Sequence, residues 1–203
     1  SMEGYPDSVK FLHNNESWNH QSPILSDVLY VNEEYRTALE NVLEPYLSYY
    51  VVNDLQEGLQ AVHLLEENKK GKANFFLLDK VNSGGSNVAA HALEGAIPAL
   101  SVVEVEEKYR KLAEHLLGNV FIADSEDALQ NSNGFVVIEK HGKYVKGKFS
   151  LTGGSVGLIE GKKIGRAKNL EKLQDEIAAQ DTVVEALRSE IQSRHNEVIA
   201  LKE

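Results

Sequence analysis

The chain has 203 residues, 42% of them hydrophobic and 26% charged, which is typical of an ordinary globular protein. The lack of cysteine excludes a disulfide scaffold, a thiolate metal site and a cysteine nucleophile, and no apolar run approaches the roughly 20 residues that span a bilayer. The net charge of −10 argues against a nucleic-acid binder, but residues 140–169 hold eight basic residues and one acidic residue. Such a local basic field can still attract phosphates at short range.

The first part of the chain predicts a helix and a strand after an irregular start. Residues 4–31 show no clear apolar period, and residues 14–23 have the composition of a loop. Asn32 is a favourable helix N-cap, and apolar residues recur after it at helical spacing until Pro45, which ends the helix. The β-branched and aromatic residues of 47–52 then predict a strand.

A second helix and a second strand follow. Asp54 is placed to cap a helix that ends near Gly71. Residues 73–78 are apolar throughout, which predicts a strand buried on both faces, and residues 80–98 predict a loop or linker. The expected apolar face of the helix consists of Leu55, Leu59, Val62 and Leu65.

The same order of elements recurs after the linker. The Tyr35-Arg36 pair near the start of the first helix returns as Tyr109-Arg110 near the start of another. We therefore expect a mixed α/β fold made of two related α-β-α-β halves. The elements predicted for the second half are a helix over 106–117 closed by Gly118, a strand over 120–123, a short helix from Ser125 to Leu129 and a strand over 135–138.

Glycines and lysines concentrate after residue 140, which predicts short strands and tight turns. Residues 142–148 fit the G-x-x-x-x-G-K pattern of a phosphate-binding P-loop, but Phe149 stands where that motif needs a serine or threonine for Mg²⁺. The sequence also continues as turn and strand where a P-loop would open a helix. We therefore expect a glycine hairpin with exposed lysines.

From Leu170 the chain predicts a coiled-coil helix. Ten positions from Leu170 to Leu201 are alternately three and four residues apart without interruption, and eight of them are apolar. They form the apolar seam of the predicted coiled coil. A seam this narrow needs a partner helix, which either has been cut off from this chain or lies on another chain. The eight apolar seam residues are Leu170, Leu173, Ile177, Val184, Leu187, Ile191, Val198 and Leu201.

Catalytic and metal chemistry are not indicated by the sequence. The seven histidines form no H-x-x-x-H or H-E-x-x-H pair, and no serine or threonine has a histidine context that suggests a triad. We therefore expect no enzymatic activity, no cofactor and no metal. The lysines after residue 140 have two interpretations, a solvated patch at the root of a coiled coil or a surface for non-specific phosphate contact.

The order and spacing of several segments resemble one known family. From residue 4 to about residue 166 the chain resembles the hinge domain of SMC (structural maintenance of chromosomes) proteins, followed by the root of the coiled-coil arm. The segments that carry the resemblance are Tyr35 with Ala38-Leu39, the strand at Tyr50, residues 73–78, Leu117-Gly118 with the strand after it, the valine-rich strand from Val136, and the closure Thr152-Gly153-Gly154.

This resemblance implies a dimerisation hinge of a chromosome-organising ATPase, with the ATPase motifs themselves absent from this chain. Hinges of this family join two coiled-coil arms and contact each other through strand edges, where glycines let two backbones approach. By position, the interface residues are Gly118, Gly147, Gly153 and Gly154. The resemblance also implies DNA entry or non-specific DNA binding near the arm root, at Lys162, Lys163, Arg166 and Lys168 and at a second group, Lys140, Lys143, Lys146 and Lys148.

The implied partners are an identical or a related hinge, an antiparallel ascending helix that is not part of this sequence, and DNA, without a membrane. The implied location is the cytoplasm, in association with the nucleoid or chromosome. Two alternatives stay open: a hinge that dimerises only with a distinct partner chain, and a small-molecule-binding α/β domain with an incidental coiled coil, marked by a deep pocket with convergent polar groups. The expected boundaries are a first subdomain over 4–80, a linker over 81–98, a second subdomain over 99–166 and an arm segment over 167–203.

Overall fold

Short helices and strands alternate up to Gly165, and a single long helix follows. The computed structural model describes residues 2–18, 22–130, 132, 134–153 and 163–202, and it divides the chain into two units, Ser1–Gly165 and Arg166–Glu203. None of the described helices is long and apolar enough to cross a bilayer. Gly154 and Lys162, which the sequence analysis singled out, lie outside the described residues, as do the side chains of Arg166 and Leu170.

The segment without a clear period contains two helices and a strand. Helix α1 spans Asp7–Asn14, helix α2 spans Leu25–Val28, and strand β1 spans Leu29–Val31. Because α1 has only eight residues, its buried apolar face is limited to Val9 and Leu12, and too few repeats exist for a period to be recognised.

The first half follows the predicted order of helix, strand, helix and strand. Helix α3 spans Glu33–Leu43, strand β2 spans Tyr50–Val52, helix α4 spans Leu55–Asn68, and strand β3 spans Phe75–Leu77. β2 is shorter than the predicted strand because a 3₁₀ turn, Glu44–Tyr46, keeps the chain in a helical conformation as far as Leu47. β2 and β3 pair in parallel, with Tyr50 opposite Phe75.

One predicted face in the first half is wrong and another is only partly confirmed. β3 is half-buried along its length rather than buried on both faces, because among the described strands it pairs on one edge only, with β2, whereas residues 23–25 cover the other edge of β2. Leu55 and Leu59 of α4 are 54% and 43% exposed, whereas Leu65 is buried as predicted and shares the buried face with Gly58 and Ala61. These small residues let α4 lie close to the sheet. The predicted cap is present, since the Asp54 carboxylate accepts a hydrogen bond from the backbone N–H of Glu57 at 2.9 Å.

The predicted linker begins and ends in regular structure. Helix α5 spans Leu78–Ser83, strand β4 spans Ala96–Pro98, and a 3₁₀ turn, Ala99–Val102, leads into strand β5, Val103–Val105. β5 pairs antiparallel with β1, so this ribbon ties the start of the first half to the start of the second.

The second half repeats the order of the first. A 3₁₀ turn, Glu107–Tyr109, and helix α6, Arg110–Leu117, precede strand β6, Val120–Ala123. A second 3₁₀ turn, Glu126–Leu129, replaces the predicted short helix. Strands β7, β8 and β9 are Val136–Glu139, Tyr144–Lys146 and Leu151–Gly153, and the sheet order is β4-β6-β7-β8-β9. β6 and β7 are parallel, as β2 and β3 are, so the two related α-β-α-β halves are confirmed.

One core serves both halves. Its buried residues include Leu39 and Leu43 of α3, Leu112 of α6, Ile138 of β7 and Ile164. Because these side chains pack in one cluster, each half buries part of its apolar surface against the other. Two further clusters lie apart from this one, one within the first half and one formed by the second half and the linker. The boundaries between the subdomains and the linker stay a prediction.

The long C-terminal helix is confirmed. Helix α7 spans Arg166–Lys202 and has 37 residues. Its described seam residues are exposed, from 43% at Val184 to 87% at Leu201. An apolar heptad seam in water requires a partner helix, and that partner stays a prediction.

Candidate interaction surfaces

β8 and β9 form a hairpin with the pair Lys148-Phe149 at its tip. The backbone N–H of Gly147 donates to the carbonyl of Ser150 at 2.9 Å, which closes a two-residue loop. Phe149 is 92% exposed there. A strand, not a helix, follows Gly142, so the G-x-x-x-x-G-K pattern forms the expected glycine hairpin and not a P-loop.

β9 is the last strand of the five-stranded sheet, and its outer edge has no partner among the described strands. All three of its residues are exposed, and the apolar Leu151 is 67% exposed. Because Gly147 and Ser150 form a hydrogen-bonded pair, the alternation of an antiparallel ladder directs the N–H groups of Leu151 and Gly153 outward. β9 therefore offers an apolar side chain and two backbone donors to another strand.

Of the predicted interface glycines that the structure describes, Gly118 and Gly153 are needed within the chain itself, whereas the close contact at Gly147 is with a side-chain hydroxyl that can rotate away. A Cβ at Gly153 would lie 2.8 Å from the ring of Tyr144, and one at Gly147 would lie 2.7 Å from the hydroxyl of Ser150. Gly118 is buried against the linker, where a Cβ would lie 3.0 Å from the carbonyl oxygen of Asn87. The carbonyl of Gly118 also accepts the N–H of Ala89 at 2.8 Å. Gly147 and Gly153 border the open edge, whereas Gly118 fastens the linker.

Two of the four predicted lysines around the hairpin are engaged in the fold. The ammonium group of Lys140 pairs with the Glu34 carboxylate and lies 5.6 Å from the centre of the Tyr35 ring. The hydrogen bond to Glu34 raises the pKa of Lys140. Lys146 donates to the hydroxyl of Ser132 at 2.6 Å. Lys143 and Lys148 are exposed, so they are the better placed for phosphate contact.

The predicted group at the arm root is described in part. Lys163 is half-buried, with its ammonium group 5.5 Å from the centre of the Tyr5 ring. Its backbone N–H donates to Glu40 of α3 at 2.5 Å. Lys168 is exposed on α7. Glu34, which pairs with Lys140, precedes Glu40 by six residues on the same helix, about 9 Å along its axis. Lys140 of one predicted group and Lys163 of the other therefore both contact α3.

The structure adds a third basic group that the sequence analysis missed. Lys10 of α1 joins Lys69 and Lys70, which follow α4, around an open cleft of about 650 Å³. The ammonium group of Lys70 lies 5.8 Å from the centre of the Phe11 ring. The run of lysines at 69–72 is visible in the sequence, but only the packing of α1 on α4 brings Lys10 to it. The cleft has lysines, one acid and two asparagines in its wall, and it is open rather than deep.

The turn between β7 and β8 is organised by the buried carboxylate of Glu139. This carboxylate accepts a hydrogen bond from the ring Nδ1 of His141 at 2.6 Å. It also accepts hydrogen bonds from the backbone N–H groups of His141 and Lys143 at 3.0 and 3.2 Å. Burial pushes the pKa of Glu139 upward, but these hydrogen bonds outweigh it and hold the pKa below its usual range. The turn also needs Gly142, which has a φ of +81° and lies against α3. Glu139 thus positions the hairpin relative to α3.

The match to a known family covers the centre of this globule. The model of the SMC proteins flexible hinge domain matches residues 19–131. The chromosome partition protein Smc of Chlorobaculum tepidum is 29% identical over 191 residues, which are 91% of this chain and 16% of that protein. The chain therefore spans about a sixth of the length of that relative.

Solved structures share the fold. The hinge domain of Geobacillus stearothermophilus SMC, solved as an asymmetric dimer, aligns with a TM-score of 0.80 at 21% identity, covering 97% of this chain and 83% of that one. The Pyrococcus furiosus Smc hinge domain with an extended coiled coil aligns with a TM-score of 0.64 at 21% identity, covering 97% and 70%. Both alignments include the mixed α/β globule and the long helix.

Proposed function

The chain belongs to the SMC flexible hinge domain family, and on that premise we propose that it is the dimerisation hinge of a chromosome-associated SMC protein. The globule joins two chains, and α7 of each continues as one strand of a coiled-coil arm. The role is structural and needs no catalytic group. The observation that carries the proposal is the open edge of β9, because an exposed strand edge with an apolar side chain is a template for pairing with another strand.

Substitution of Leu151 tests this interface. Leu151→Glu places a charge on the open edge without touching the β8–β9 ladder, and Leu55→Glu is a matched control on α4, where the leucine is 54% exposed. Both variants carry Leu187→Glu and Ile191→Glu, so that the arm seam cannot contribute. We expect Leu151→Glu to weaken dimerisation at least about 30-fold, the effect of roughly 2 kcal/mol at an interface centre.

Sedimentation velocity measures the dissociation constant, and circular dichroism checks that both variants stay folded. A folded Leu151→Glu protein that dimerises as tightly as the Leu55→Glu control would contradict the proposed interface.

We further propose that the hinge contacts DNA phosphates without sequence specificity. The supporting residues are the exposed Lys143 and Lys148 on the hairpin and Lys163, Lys168, Lys162 and Arg166 at the arm root, with Lys10, Lys69 and Lys70 as an added group. Lys140 and Lys146 contribute positive charge while they hold the hairpin in place. Of the described rings beside these lysines, Phe149 is exposed, whereas Tyr5, Phe11 and Tyr35 are buried or half-buried, which favours contact with the phosphate backbone over base stacking.

Salt dependence tests the DNA proposal. Replacing Lys143 and Lys148 by glutamine should weaken binding to a 30-base-pair duplex and lower the slope of log affinity against log salt by about 2, because roughly one counterion is released per phosphate contact. The control variant removes the same charge at Lys80 and Lys108, which are exposed elsewhere. Fluorescence anisotropy at several salt concentrations gives both slopes. Equal slopes for the two variants would refute a contact at the hairpin.

A further inference from the structure

A buried carboxylate on α3 holds the segment that immediately precedes α7. Glu40 is fully buried, and its Oε1 accepts the backbone N–H groups of Lys163 at 2.5 Å and Ile164 at 2.6 Å. These partners lie more than 120 residues away in the sequence, so the contact is purely tertiary. Residues 163–165 are the described part of the arm root that precedes α7.

Two further contacts fix the arm root on the first half. The N–H of Gly165 donates to the carbonyl of Ser26 at 2.9 Å, and the side chain of Ile164 is fully buried in the shared core. Gly165 has a φ of +68°, and a Cβ there would lie 3.0 Å from the ring of Tyr30. The chain therefore returns from the hairpin of the second half to the first half before the arm begins.

Glu40 and the arm root depend on each other energetically. A buried carboxylate loses its hydration, and only hydrogen bonds to it can offset that loss. The second oxygen, Oε2, is buried and has no hydrogen-bond partner among the described residues, so the two arm-root amides at Oε1 are the compensation that the structure shows. Hydrogen bonds to an ionised acceptor are about twice as strong as neutral ones.

We propose that Glu40 is a positioning residue. Its hydrogen bonds to the N–H groups of Lys163 and Ile164, the latch, hold the arm root on α3 and so fix the point at which the arm leaves the hinge. Loss of the latch frees residues 163–165 and lengthens the tether to the arm, while the β6–β7 sheet stays folded. The proposal goes beyond dimerisation and DNA contact, and it rests on contacts within one chain.

Amide hydrogen exchange on the full chain tests the latch, with Glu40→Gln as the variant. Glutamine keeps the shape of the side chain but offers a neutral acceptor to the two amides. We expect the amides of 163–165 to exchange at least 10-fold faster, with less than a 2-fold change in β6 and β2. The control is Glu34→Gln, a carboxylate on the same helix that pairs with Lys140 and leaves the arm root alone.

Unchanged amide exchange at the arm root in Glu40→Gln would overturn the latch. Equal acceleration of exchange at the arm root and in β6 would also overturn it, because Glu40 would then be a general core residue. If Glu40→Gln does not fold, amide exchange of the wild-type chain at low urea concentrations tests the latch instead. A separate latch predicts that the arm-root amides open at a lower free energy than those of β6, whereas opening of both only by global unfolding refutes it. Neither measurement depends on whether the chain dimerises.

Discussion

At the residue scale, buried carboxylates hold two segments that lie against α3. Glu40 receives the arm root, and Glu139 receives the turn that leads into the hairpin. Glu139 is 6% exposed, and its three hydrogen bonds all come from residues 141 and 143. The position of the hairpin, and with it of the open edge of β9, therefore depends on an ionised side chain.

The stability of this turn should depend on pH. The pKa of Glu139 is lower in the folded than in the unfolded chain, so its contribution is complete above the ordinary glutamate value of about 4.3 and disappears as the pH falls through the folded value. Glu139→Gln should lower the free energy of unfolding by about 1–3 kcal/mol at pH 7. The difference from wild type should shrink towards pH 3.

Urea unfolding at the two pH values measures this difference, with the exposed Glu67→Gln as the control. A penalty for Glu139→Gln that is as large at pH 3 as at pH 7 would show that packing, and not the ionised carboxylate, holds the turn.

At this scale the sequence predicted which residues form the turn-rich basic segment, but not which distant groups those residues contact. The described glycines and lysines of residues 140–153 lie in short strands and tight turns, as the sequence predicted. Which lysines stay exposed was not predictable, because Glu34 and Ser132 are distant in sequence and capture Lys140 and Lys146 only in the fold. Gly118 shows the same limit, since its close neighbour Asn87 belongs to the irregular linker.

At the element scale, long periodic segments were predictable and short ones were not. α3, α4, β6 and α7 follow from apolar spacing and caps, whereas α1 and α5 have eight and six residues, too few for a period. The face of α4 was predicted only in part, because the small residues Gly58 and Ala61, and not Leu55 and Leu59, lie beside Leu65 against the sheet. Most elements of the globule bury apolar residues within the chain, although β9 leaves Leu151 exposed, whereas the described seam residues of α7 are all exposed.

Matched alanine substitutions should separate these two kinds of element. Ile138 of β7 is fully buried, so Ile138→Ala should cost about 2–5 kcal/mol of unfolding free energy. Ile177 of α7 is 50% exposed, so Ile177→Ala should change the stability of the globule by less than about 0.5 kcal/mol.

Urea unfolding followed by the fluorescence of Trp18, the single tryptophan, reports on the globule. A large loss of globule stability in Ile177→Ala would contradict the independence of the two units.

At the scale of the whole molecule, a repeated α-β-α-β order is closed into one globule by links between the halves. Among the described residues these links include the shared core, the β1–β5 ribbon and the arm root on α3. The repeat could be predicted because it lies in the order of elements along the chain. The links could not, because each joins residues that are far apart in sequence and carry no local signal.

The most direct test of the hinge proposal is the solution mass of the globule when the arm cannot associate. Light scattering over a dilution series should be made on the full chain carrying Leu187→Glu and Ile191→Glu, two exposed seam positions of α7. A homodimeric hinge predicts a mass near twice the monomer value of 22.5 kDa that persists on dilution. A folded protein with the monomer mass at every concentration would contradict a homodimeric hinge and would leave only a hinge that needs a different partner chain.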